Sequence, residues 1–245
     1  MWRHDPALPY RLGCRGSLWR RKLVSFATFI TNFADQAVLL PATIAVGIGF
    51  GLSGWRRGAL AWSGVIACTW IVIFLLKLAC LACSPLIIEG LRSPSGHTAA
   101  AATAIGGFFG LIIRRFGGDW RWTIPISAGL AVVIGMSRLA LHVHTGIDVV
   151  VAGVVGVVGA GALVVLTGPP PAGLRLSPVI STLAVLILLL HGSQMPAEAA
   201  IRHFSALRIW SELRIDGLPW QNCRVRIDQT VIESPKPVLL VVKQT

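Results

Sequence analysis

The length of its apolar runs constrains this chain more than any other feature. Six stretches, near residues 25–52, 59–83, 98–113, 123–141, 146–166 and 179–190, carry few charges between polar breaks. A helix needs about 20 apolar residues to cross a hydrocarbon core, and several of these runs reach that length. Lipid offers the backbone no hydrogen-bond partner, so a spanning segment must be helical or part of a closed barrel. A barrel would show short alternating segments instead. The expected fold class is therefore all-α, a polytopic membrane bundle of five to six transmembrane helices with a small C-terminal tail. Composition agrees: only 13% of the residues are charged and mean hydropathy is +0.72, too little charge to cover a soluble domain of 245 residues.

The expected organisation is a basic N-terminal tail over 1–24, a bundle over 25–191 and an extramembrane tail over 192–245, with a strand-like stretch at 238–242. The first 24 residues lack the pattern of a cleavable signal peptide. The net charge of +12 is scattered through short loops and both termini, as expected where cytoplasmic loops meet anionic headgroups. No basic stripe interleaved with aromatics is present, so nucleic acid is not an expected partner. The bilayer is one, and no obligatory protein partner is implied. Cys80 and Cys83 form a CxxC inside an apolar run, where two small packing residues are a simpler reading than a metal site lacking further ligands.

Ionisable groups inside spans cost on the order of 2.5–3.5 kcal/mol each and demand a reason. Lys77, Arg138, His144 and Asp148 lie at span ends, and His97 opens a span. If successive helices alternate in direction, all five reach one side of the membrane. His144 and Asp148 are four residues apart, so on a helix they share a face and the carboxylate can hold one imidazole nitrogen. The other nitrogen then keeps its lone pair for attack. Ser95 and Gly96 immediately precede a helix, whose N-terminal amides make an anion site, and Gly96 lets a ligand approach the backbone. Lys77 and Arg138 add positive charge, Arg138 with a fork that fits two phosphate oxygens.

In these residues the sequence resembles the type-2 phosphatidic acid phosphatase family, which shares its site with vanadium haloperoxidases. The family pattern is Lys-x6-Arg-Pro, then Pro-Ser-Gly-His, then Ser-Arg-x5-His-x3-Asp. The second block is intact as Pro94-Ser95-Gly96-His97, and the third as Ser137-Arg138 followed by His144 and Asp148. The first departs from the pattern: after Lys77, Ser84 stands where the family has arginine, ahead of Pro85. A serine brings no charge, so weaker phosphate binding is expected, with Arg92, three residues before Ser95, as a partial substitute.

The resemblance implies a lipid phosphatase working in two displacements without metal or other cofactor. His144 would be the nucleophile, Asp148 its orienting group and His97 the general acid and base. Lys77, Ser95, Gly96, Arg138 and Arg92 would bind phosphate, and the substrate would be a lipid phosphate monoester or diphosphate. A non-catalytic protein that binds or moves phosphorylated lipids, its site weakened at Ser84, is the alternative. A vanadate-dependent oxidase fits poorly because those relatives are soluble.

Several residues carry simpler readings. His142 lies two residues from His144 on another face and reads as a packing or interfacial histidine; His4, His191 and His203 lie outside the blocks. Glu89 reads as a loop residue, Trp55, Trp120 and Trp122 as an interfacial belt, and Asp35 as interfacial or lining the substrate mouth. Lys77 could instead snorkel to the headgroups. Arg56, Arg57, Arg114, Arg115, Arg121 and Arg175 lie in loops opposite the expected pocket. This places the pocket on the outer, periplasmic side of a cell (inner) membrane. A single span over 25–52 would put the basic N-terminus on that side too, so either the tail tucks back at the interface, or the span is a broken hairpin near Pro41, or the chain starts late.

Overall fold

A computed structural model of the protein describes residues 10–83, 90–193 and 195. Ser84, Glu89, His4, His203 and the expected strand-like stretch at 238–242 lie outside them. The described residues form seven α-helices, one short 3-10 helix (Trp120–Trp122) and no strand: α1 (Tyr10–Asn32), α2 (Gln36–Leu52), α3 (Arg56–Cys83), α4 (Gly96–Arg115), α5 (Thr123–Ala140), α6 (Gly146–Thr167) and α7 (Ser177–Leu190). By length and composition five helical segments can cross a membrane, α7 being a shorter apolar helix. Their outward faces carry side chains such as Leu60, Val150, Val158 and Leu188, all exposed, as lipid contact requires.

The first apolar run is two helices rather than one span. The interruption falls at Phe33–Asp35, not at Pro41, which lies inside α2. Asp35 causes it: with φ −66° and ψ 144° it leaves helical geometry, and its carboxylate accepts from the Ala37 amide at 2.9 Å. A side-chain acceptor at that position starts a new helix. The two helices then part, α1 packing on α5 while α2 packs on α3 and α7.

The centre of the bundle is the α4–α6 pair, flanked by α5 and α3. Small residues let the backbones close: a Cβ added at Gly156 would fall 2.8 Å from the Ala99 carbonyl oxygen and 2.7 Å from the Ala102 methyl. Without a hydrophobic drive between helices in lipid, such close approach supplies the attraction. At the end of α6 away from Asp148, arginines cap the last carbonyls, Arg57 donating to Leu166 at 2.9 Å and Arg114 to Val164 at 2.8 Å. Cations at a helix C-terminus meet the negative end of its dipole. Trp55 is not interfacial, as the sequence suggested; it is buried against Phe50 in the core, whereas Trp122 is exposed. Cys80 is buried as a packing residue.

Candidate active site

The site is assembled around Asp148. Thr145-Gly-Ile-Asp148 is a capping box that starts α6: the Asp148 amide donates to Thr145 Oγ1 at 3.2 Å, and the Thr145 amide returns to Asp148 Oδ2 at 2.9 Å. The second carboxylate oxygen, Oδ1, accepts the amides of Arg92 and Ser93, each at 2.9 Å. One side chain thus satisfies donors of two chain segments at once, and its burial is tolerable because both oxygens are paired. The loop ahead of α4 is held further by the Ser95 amide on the Asp148 carbonyl at 3.3 Å and by Thr145 Oγ1 on the Gly90 carbonyl at 3.2 Å.

His144 hangs from the loop so fixed. Its Nδ1 lies 3.0 Å from the Ser93 carbonyl oxygen and 3.8 Å from Asp148 Oδ2. A carbonyl can only accept, so Nδ1 carries the hydrogen and Nε2 the lone pair. The sequence reading gave the orienting role to Asp148 directly. In the structure Asp148 stands beside the imidazole and also holds Ser93, whose carbonyl is the nearer partner of Nδ1. The turn that delivers His144 ends α5 by a bond from the Val143 amide to Arg138 O and another from the His142 amide to Leu139 O. His142 occupies its left-handed corner at φ 55° and is exposed, consistent with the non-catalytic reading.

Ser95 starts α4: its hydroxyl accepts from Thr98 Oγ1 at 3.0 Å and from the Thr98 amide at 3.4 Å, and the residue is fully buried. Gly96 follows as the first helical residue, and a Cβ there would stand 4.0 Å from Lys77 Cε and 3.8 Å from Gln36 Nε2. Lys77 does not snorkel; it is buried, and its ammonium donates to Ser93 Oγ at 3.2 Å. The α4 N-terminus, the lysine and the His144 loop therefore meet in one place, where the helix's positive end and the ammonium suit an oxyanion. Arg138 is half-buried in the last turn of α5, beside the Ser137–Thr31 hydroxyl pair at 3.1 Å that joins α5 to α1. The Arg92 side chain is exposed, and its tie to the site is its backbone amide.

Sequence reasoning missed the partner of His97. Nε2 of that ring lies 3.4 Å from Asp35 Oδ2. The other oxygen of Asp35 accepts from Ala37 and, at 3.1 Å, from the Met195 amide. The only hint in the sequence was a carboxylate inside an apolar run.

Two histidines with partnered ring nitrogens, a buried lysine and a helix N-terminus thus lie at one end of the bundle, an arrangement able to hold a phosphoryl group. The comparisons agree. The family model described as PAP2 superfamily matches residues 23–169, and the chain belongs to that superfamily. It is also 31% identical over 180 residues to an uncharacterized 22.5 kDa protein in the cps region of Klebsiella pneumoniae, covering 70% of this chain and 86% of the relative. No solved structure matches it significantly.

Proposed function

We propose that the protein hydrolyses a phosphate monoester or diphosphate of a membrane lipid through a phosphohistidine on His144. The observation that carries this reading is the suspension of His144 from the Ser93 carbonyl at 3.0 Å, which makes Nε2 the nucleophilic nitrogen. In the first step Nε2 attacks phosphorus, the bond from phosphorus to the lipid oxygen breaks, and His97 gives its proton to that oxygen. In the second, water attacks the phosphohistidine, His97 takes the water proton, and the N–P bond breaks to release phosphate. Lys77, Arg138, Ser95 and the Gly96 amide stabilise the equatorial oxygens throughout, with Arg92 at the rim. A membrane site fits a lipid substrate because its phosphate already sits at the depth of helix ends.

The basic loops opposite the site favour a site on the outer face of a cell membrane. Labelling of a single cysteine at Arg121 in intact cells by a membrane-impermeant thiol reagent would contradict that side. The catalytic reading is tested by phosphate release from detergent-solubilised protein across phosphatidic acid, isoprenyl diphosphate and phosphorylated glycolipid. Release from at least one, an acid-labile phosphoenzyme on brief mixing, and loss of both in His144→Ala are expected. Lipid phosphate binding without release would favour the non-catalytic alternative that Ser84 suggests.

A further inference from the structure

Asp35 is buried, lies 62 positions before His97, and belongs to none of the blocks through which the sequence resembles its family. It would suffice as a helix cap with one oxygen. Yet Oδ1 alone takes both backbone donors, Ala37 at 2.9 Å and Met195 at 3.1 Å, which turns Oδ2 toward the His97 ring at 3.4 Å. Three elements, the start of α2, the start of α4 and the chain following α7, therefore meet on one carboxylate.

We infer that Asp35 is the positioning residue of His97, and that through it α2 sets the direction in which the proton reaches the leaving lipid oxygen. The inference rests on the reading of His97 as general acid and base. A carboxylate only accepts, so Nε2 of His97 carries a hydrogen toward Asp35 and Nδ1 is the nitrogen that exchanges a proton with substrate and water. The carboxylate fixes the ring against rotation and keeps its charge opposite the ring when both nitrogens are protonated. The contact of 3.4 Å is loose, as catalytic hydrogen bonds often are before substrate binds. His97 and His144 are thus oriented by different devices: a side-chain carboxylate from α2 for the acid, a backbone carbonyl of the α4 loop for the nucleophile.

Asp35→Asn isolates this role. Asparagine caps a helix as well as aspartate does, and its oxygen can still accept from Ala37 and Met195, but it presents an amide donor to a ring nitrogen that also donates. The readout is kcat/KM for two probes, a long-chain alkyl phosphate and a nitrophenyl phosphate. An alkoxide must be protonated as it leaves, whereas nitrophenolate departs as a stable anion. Asp35→Asn is expected to lower kcat/KM for the alkyl ester by about 10²-fold and for the nitrophenyl ester by only a few-fold. In a His97→Ala background the same substitution is expected to change the alkyl rate less than about 2-fold, since coupled residues are not additive. An equal loss on both esters, or a full further loss in the His97→Ala background, would show Asp35 to be structural and overturn the inference. Wild-type protein inert toward both esters would overturn the phosphatase reading together with it, whereas wild-type turnover abolished by His144→Ala leaves that reading standing whatever Asp35 does.

Discussion

Replacing Asp148 with asparagine separates two roles that a simple picture of a nucleophilic histidine and its carboxylate would merge. The carboxylate holds three amides, two from the α4 loop on Oδ1 and one from Thr145 on Oδ2, all at 2.9 Å. Asparagine has one acceptor. Turned to keep Arg92 and Ser93, it aims its NH2 at the Thr145 amide, donor against donor in a site that is 2% exposed. Losing a charge-assisted bond costs about 1.5–3 kcal/mol, and a buried unsatisfied donor about 1–3 more, so about 3–5 kcal/mol is expected. For a chain of this size that lowers the unfolding midpoint by about 10 °C, measurable by thermal unfolding in detergent. Phosphate release should fall with it, because the Thr145 amide loses its acceptor and the turn that carries the neighbouring His144 is no longer fixed. His144→Ala leaves all three amides on Asp148 in place and should lower the midpoint far less. An Asp148→Asn protein with the wild-type midpoint but no activity would refute this reasoning and return Asp148 to direct action on the imidazole.

Relieving the left-handed corner at residue 142 with His142→Gly should raise the midpoint by the equivalent of about 1 kcal/mol and leave phosphate release intact; a lower activity would give His142 a part in the site. Gly156→Ala forces α4 and α6 apart at the Ala99 carbonyl and should cost about 1–3 kcal/mol, visible as lost thermal stability, with no loss expected if the pair can slide. Arg92→Ala should raise KM for a lipid phosphate about 5-fold, the scale of an exposed charge contact; an unchanged KM removes Arg92 from substrate binding.

Much of this architecture was legible because lipid leaves the chain few choices. The helices α3 to α7 begin and end close to where apolar runs meet Pro, Gly and charge, and Lys77, His144 and Asp148, which the structure joins through Ser93, could be read as neighbours from their places at span ends. The start of α6 carried a mark that the sequence reading passed over: Thr145-x-x-Asp148 before an apolar run suits a capping box, which explains the buried carboxylate without reference to His144. The Ser93 carbonyl was not legible, since a backbone oxygen leaves no trace in residue identity. Nor was the Asp35–His97 pair, which depends on how α2 packs. The break at Phe33–Asp35 was masked because Asn32, Asp35 and Gln36 are a short polar interruption between longer apolar stretches, and only the cap geometry divides the two helices.

The glycine and alanine contact between α4 and α6 has a consequence for how the protein experiences its bilayer. His97 opens α4 and His144 lies in the turn just before α6, at the same end of two helices whose backbones nearly touch, so the spacing of the proposed acid and nucleophile is set largely by main chain. A thinner or thicker membrane can tilt such a pair as one body, and lipid composition should then alter how readily a headgroup reaches the site before it alters the chemistry performed there.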